Sequence, residues 1–234
     1  MKRDNMFLAP DIIDASAEAE ARQIDVGAPR GVVARFLDVA PLEEKFLARG
    51  MSFIEFHVSD RDLDAGATAY EGGKKPFGFV VHAPEYAHDT LIDLCAADDV
   101  QRALSVQRIQ KTIDLARALA PQFHLDRALF PHGPKIVMHV GGMWPKPGGY
   151  DVAAATKRVL AALEQLDSAG VDLLLENLPP YPWYFGGRWF GHIICDVENT
   201  ALLCEESGLV LCFDTSHAAL ECAPCILVEL QLLV

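Results

Sequence analysis

The chain has no apolar run approaching the ~18–20 residues that a membrane helix needs. Its first residues, Met1-Lys-Arg-Asp-Asn-Met-Phe-Leu-Ala-Pro10, contain no continuous apolar core of the kind a secretory leader carries. It is also short of positive charge. Twenty lysines and arginines stand against 33 acids, for a net charge of −13. Proteins that grip a phosphate backbone usually carry a basic face, so this balance argues against nucleic acid as a partner. Cysteines are few and scattered: Cys95, Cys195, Cys204, Cys212, Cys222 and Cys225. Several lie inside apolar runs and read as reduced thiols packed as small hydrophobes, which makes the expected location cytoplasmic. Only Cys222 and Cys225 are spaced as a pair, and one C-x-x-C alone carries little. There is no internal repeat and no low-complexity tract.

With 51% hydrophobic and 23% charged residues, the 234-residue chain has the balance of a soluble protein with one sizeable core. Residues 1–30 are acidic, alanine-rich and poorly periodic. They read as an N-terminal extension, with a short surface helix predicted over 11–25. Residues 31–234 read as a single domain. Within it, short bulky runs recur, and four of them end on a polar side chain that can bind a metal. Phe77-Gly-Phe-Val-Val ends in His82-Ala-Pro. Lys135-Ile-Val-Met ends in His139-Val-Gly-Gly. Val171-Asp-Leu-Leu-Leu ends in Glu176-Asn. Leu209-Val-Leu-Cys-Phe ends in Asp214-Thr-Ser-His217. Near-continuous apolar runs of this length are how strands buried on both faces read, and the last is expected to be such a strand. Gly31 to Val39 is a first strand and Ser52 to Val58 a second. Glu55 and His57 share one face of the second, where a charged side chain needs a partner or a polar cavity.

Helical signals lie between the runs. Pro41 to Gly50 starts on proline and ends on glycine. Val100 to Leu119 has an apolar stripe near the 3.6 period, with Arg102, Arg108, Lys111 and Arg117 read as a solvated face. Asp151 caps a helix expected over Val152 to Ser168, and Asp196 to Glu206 is another. Asp60 to Lys75 reads as a polar connection without helical pattern. Gly141 to Gly149 and the aromatic stretch Tyr181 to Phe190 read as loops. The order βαβαβαβα predicts an α/β fold with a parallel sheet, closed as a (β/α) TIM-type barrel whose sites sit at the C-terminal strand ends.

A single histidine after a strand is usually a hydrogen-bonded structural residue, and a single Asp-x-x-His is usually a turn or cap. Four successive strands ending in His82, His139, Glu176 and Asp214 with His217 are harder to obtain by accident. Imidazoles with carboxylates are a divalent-cation ligand set, suited to zinc, manganese or cobalt.

The segments F-V-V-H-A-P, I-V-M-H-V-G-G, L-L-L-E-N and L-C-F-D-T-S-H, in this order and spacing, resemble the xylose isomerase-like TIM-barrel superfamily. That group contains sugar-phosphate isomerases and epimerases and also endonuclease IV. Phe53-Ile-Glu-Phe is similar to its early acidic strand, and the likeness spans about residues 50–220. The resemblance implies that Glu176 and Asp214 are metal ligands in either branch. It implies that His217 contacts substrate in the isomerases, or ligates a further metal in the endonuclease-like branch, where His82 and His139 would also be ligands. Complete members continue past D-x-x-H with two more strands supplying a histidine and a final glutamate. This chain ends at Val234, and its apolar tail from Glu221 shows neither motif. The expectation is therefore an incomplete barrel, about six of eight strands, truncated at the C-terminus.

Three functions follow. The first is a divalent-metal-dependent isomerase or epimerase of a sugar or sugar-phosphate-like substrate, with Glu176 and His217 as catalytic residues. Metal ligands would come from His82, His139, Glu176, Asp214 and His217, and the stretch Trp183 to Phe190 reads equally as a cover over the sugar or as packing. The second is an endonuclease IV-like metal-dependent phosphoesterase. The third is a non-catalytic truncated barrel. The expected partner is a small sugar-like molecule, with no membrane; a homo-oligomer is left open.

Overall fold

The computed structural model describes residues 28–36, 47–69, 73–146, 148–180 and 189–220. The expected helix over 11–25, the first part of the helix over 41–50, most of the aromatic stretch 181–190, and the tail with Cys222 and Cys225 lie outside the described residues.

Six strands form one sheet. They are β1 (Gly31–Arg35), β2 (Phe53–His57), β3 (Gly78–His82), β6 (Lys135–Met138), β8 (Asp172–Glu176) and β10 (Val210–Cys212). Their order in the sheet is their order in the chain, and every pairing is parallel. Two short antiparallel ladders decorate the C-terminal side. The first pairs β4 (Tyr86–Ala87) with β5 (Thr90–Leu91). The second pairs β7 (Met143–Trp144) with β9 (Phe190–Gly191). Consecutive parallel strands joined by crossovers, with helices on one side, are the pattern of a (β/α) barrel, here with six strands of the sheet described.

Among the described residues the frame is completed by α1 (Asp60–Ala65), α2 (Asp99–Leu119), α3 (Val152–Leu163) and α4 (Val197–Ser207), with further helical residues over 215–220. Each has a side-chain cap at its N-terminus, from Ser59, Asp98, Asp151 and Asp196 respectively. Such caps satisfy amides that have no partner inside the helix. α4 ends on Gly208 in the left-handed conformation, φ 69°, which a residue without a Cβ adopts at little cost. No described helix is long and apolar enough to cross a membrane.

The larger core lies between the sheet and the helices, built on Ile54, Phe56, Phe79, Ile109, Ile113, Leu119, Ile136, Met138 and Leu175. Phe56 meets Phe36 edge-on at 5.6 Å and Phe123 at 5.8 Å, so one ring ties β2 to the segments on either side of it. The opposite sheet face carries a smaller cluster of Val80, Phe130 and Val137, with Phe53, Leu174 and Cys212 packed against it. Successive strand residues alternate faces, so Glu55, His57, His82 and Glu176 fall on this second face, above the small cluster. The polar site thus sits on an apolar floor.

Four expectations need correction. The run Leu209 to Phe213 is not buried on both faces: Val210 is 66% exposed and Phe213 62%. β10 is an edge strand, paired only with β8 among the described strands, and its composition does not record how many neighbours it has. The segment after Val58 is not an unstructured connection; α1 forms there, held by a capping box between Ser59 and Asp62. Arg108 is not on a solvated face. It is buried and pairs with Asp60 at 3.0 Å and Asp64 at 2.9 Å, tying α2 to α1. The helix after Asp151 ends at Leu163, five residues earlier than expected.

Candidate metal centre

The site grows from strand ends. β3 delivers His82 as its last residue, and β8 delivers Glu176 as its last. His139 follows β6 by one residue, and Asp214 follows β10 by two. Because the strands are parallel and neighbours in space, these positions share one end of the sheet. All five side chains singled out in the sequence come together there. His82, His139 and Glu176 form one group, and Glu176, Asp214 and His217 a second. In each group the potential ligand atoms lie within 4.8 Å of one another.

Glu176 is the hub. Its Oε2 accepts from His82 Nε2 at 2.8 Å and from His139 Nε2 at 3.1 Å, and its Oε1 lies 3.7 Å from His217 Nδ1. Burial alone would raise its pKa. The hydrogen bonds and charges of His139 and His82 outweigh burial and hold the carboxyl well below the usual carboxylate range. The two histidines respond in opposite directions. Burial disfavours the charged form of His82, yet the bond to Glu176 and the Ala83 carbonyl, which accepts from Nδ1 at 2.8 Å, leave it above its ordinary value. For His139 burial wins, helped by the neighbouring His82, and its pKa falls. Their rings are 5.0 Å apart and edge-on.

These residues fit a divalent cation. Imidazole nitrogens and carboxylate oxygens are the donors such ions take. His82 and His217 each commit Nδ1 to a backbone carbonyl, of Ala83 and Asn177, which fixes the rings, and His82 directs Nε2 at Glu176, where a bound cation would take the place of the shared proton. Outer hydrogen bonds of this kind are usual behind metal-bound histidines.

Three features were not anticipated. Glu55 and His57, expected only to need a partner, find each other at 2.8 Å. The His57 ring also stacks on His82, with centroids 4.3 Å apart, so a second imidazole borders the cluster from β2. Spacing two residues apart on one strand face is the only sequence signal for it. A cavity of about 920 Å3 opens beside the cluster on the β1–β3 side, lined by Arg35, His57, Asp60, His82 and Glu85 among others. Of the five candidate ligands only His82 borders it. Finally, buried Asp93 knits the loops after β3 and β6 together. Its Oδ1 accepts from the amides of Cys95 at 2.8 Å and Gly142 at 3.2 Å. Burial raises its pKa, and those amide bonds pull in the other direction.

Comparison with known proteins agrees with this geometry at the level of fold. No curated protein matches the chain in sequence. Among solved structures it is similar to an L-ribulose 3-epimerase, with 20% identity, a TM-score of 0.52, and 83% of this chain and 63% of that one covered. It is also similar to D-psicose 3-epimerase from Clostridium cellulolyticum H10, solved with D-tagatose, with 15% identity, a TM-score of 0.55 and 83% and 66% covered. The chain therefore spans just under two thirds of each of these proteins. At such identities the likeness establishes the fold. The family model described as the xylose isomerase-like TIM barrel matches residues 46–229, which include all six strands but the first and the whole polar cluster. A match over most of the chain, on a sheet of sequentially ordered parallel strands, means that this chain belongs to the xylose isomerase-like TIM-barrel family.

Proposed function

We propose that the chain is a divalent-metal-dependent isomerase or epimerase acting on a sugar or sugar-phosphate-like substrate. The observation that carries this reading is the convergence of His82, His139, Glu176, Asp214 and His217 from four strand ends onto a single carboxylate. The epimerase names of the similar structures support the substrate class. Glu176, Asp214 and His217, with His82 and His139 alongside, would hold a manganese, cobalt or zinc ion. Such a cation, when bound, supplies positive charge where a sugar hydroxyl or carbonyl oxygen becomes more negative. Glu176, the carboxylate at the hub of the cluster, is the candidate to accept a proton from the neighbouring carbon. His217, anchored through Nδ1, positions a substrate oxygen or completes the ligand set. The apolar floor of Val80, Val137 and Leu174 limits water beneath the site.

A second reading has one observation in its favour. The two ligand groups share Glu176, so two cations can be accommodated side by side, which suits an endonuclease IV-like phosphoesterase. The net charge of −13 weighs against a nucleic-acid substrate. The test is a panel of ketoses incubated with the full chain and manganese, cobalt or zinc, with epimer formation followed by NMR. A chromogenic phosphodiester is assayed in parallel, and Glu176→Ala is the control for both. Epimer formation that the control abolishes supports the first reading. Phosphodiester cleavage without sugar conversion supports the second. Neither activity with any of the metals refutes both.

A further inference from the structure

The turn that carries Asp214 and His217 hangs on the weakest strand of the sheet. β10 is three residues long, and its only neighbour among the described strands is β8. The backbone ladder between them ends at the pair Cys212 and Glu176. Beyond it the connection continues through one side chain. Asn177 Nδ2 donates to the Asp214 carbonyl at 2.9 Å, and Asn177 Oδ1 accepts from the Asp214 amide at 2.7 Å. A primary amide presents the same donor and acceptor as a peptide group, so this side chain adds two ladder-like bonds where the strands have stopped pairing. The backbone carbonyl of Asn177 accepts from His217 Nδ1 at 2.8 Å. Asp214 in turn caps the helix that starts after it: the His217 amide donates to Asp214 Oδ1 at 2.7 Å and the Ala218 amide to the Asp214 carbonyl at 3.1 Å. Asn177 is itself buried, so water competes poorly for these bonds.

We infer that Asn177 is a positioning residue: it clasps the Asp214–His217 turn to the end of β8 and so sets both side chains opposite Glu176. It touches the turn through three hydrogen bonds and sits next to Glu176 in the chain, so a single residue couples the two halves of the second ligand group. The consequence for cation binding rests on the reading under Proposed function; the clasp itself does not. The clasp accounts for an edge strand with little burial of its own holding two site residues in register.

The experiment has two arms on the full chain, with Asn177→Leu, which keeps the bulk, and Asn177→Asp, which keeps the acceptor and loses the donor. In the first arm, amide hydrogen exchange is followed by NMR with chelator present. Exchange at Asp214 should accelerate about tenfold in Asn177→Leu, the size expected for one net hydrogen bond. Amides of β3 and β6 should be unchanged, and Asn177→Asp should fall between. Unchanged exchange at Asp214 in Asn177→Leu overturns the clasp; if that variant does not fold, Asn177→Ala, which also removes both side-chain bonds, decides. In the second arm, zinc is titrated and the histidine ring resonances are read. The variants should require at least about ten times more zinc for the His217 response. A His217 response at unchanged zinc overturns the positioning role. Absence of any histidine response in the wild type refutes the cation reading instead, and the exchange arm then decides the clasp.

Discussion

Replacing Glu176 with glutamine tests the electrostatic account of the site without any cation present. The carboxylate is 8% exposed and accepts from two imidazoles through one oxygen. Charge-assisted hydrogen bonds contribute about 1.5–3 kcal/mol each, and removing one partner of a buried pair costs about 3–5 kcal/mol. Glutamine keeps the shape and one acceptor, so the loss should lie near that range while His82 is charged. For a chain of this size each kcal/mol moves the melting midpoint by about 2–4 °C, which gives a fall of about 6–20 °C. The effect has a defined pH window. The pKa of His82 is raised by Glu176, so its stabilisation is full below the ordinary imidazole value of 6.5 and fades as pH rises through the raised value. The pKa of Glu176 is lowered, so its contribution is present above the ordinary 4.5 and is lost as pH falls towards the lowered value. The difference between wild type and Glu176→Gln should therefore be largest between 4.5 and 6.5 and should shrink in alkaline buffer. Thermal denaturation with chelator, at a pH inside that window and at one well above it, checks this. A difference of equal size at both, or none at either, would refute the paired-charge description.

Three further outcomes follow from the packing. Gly141→Ala should destabilise by at least about 1–3 kcal/mol, because φ is +86° and the new Cβ would meet Asp93 Oδ1 at 2.2 Å; denaturant melts measure it. Phe56→Ala should cost about 3–5 kcal/mol, since the ring is fully buried among Phe36, Phe79 and Phe123; the same melts apply, and a loss below about 1 kcal/mol would contradict the packing. Arg108→Ala should cost about 3–5 kcal/mol and release α1 from α2, because Asp60 would lose its guanidinium and keep only His88; hydrogen exchange at Leu63 should rise with it.

Much of this fold was legible because the strands announce themselves. Runs such as Phe79–Val81 and Ile136–Met138 are apolar without interruption because helices cover one face and the small Val80–Val137 cluster covers the other. The placement of His82, His139, Glu176 and Asp214 at one rim followed from parallel strands alone. What could not be read depends on neighbours. The exposure of β10 is set by the edge of the sheet, although its residues are as apolar as those of β3. α1 is too short for an apolar period, and only Ser59 and Asp62, three apart, announce it. Arg108 sits in a cationic series that looks solvated until α1 brings Asp60 and Asp64 across it. A strand-end Glu-Asn such as Glu176-Asn177 is often a helix N-cap contact, and its pairing with Asp214 arises from the register of β8 against β10.

The proposed function requires the polar cluster to bind a divalent cation. Its most direct test is a calorimetric titration of the chelator-treated full chain with manganese, cobalt and zinc, repeated on Asp214→Ala and Glu176→Ala, with circular dichroism as a control for folding. The account predicts saturable binding of at least one of these ions by the wild type, with affinity reduced at least about tenfold in both variants and secondary structure retained. Saturable binding of equal affinity in all three proteins, or no binding by the wild type to any of the three ions, would contradict it.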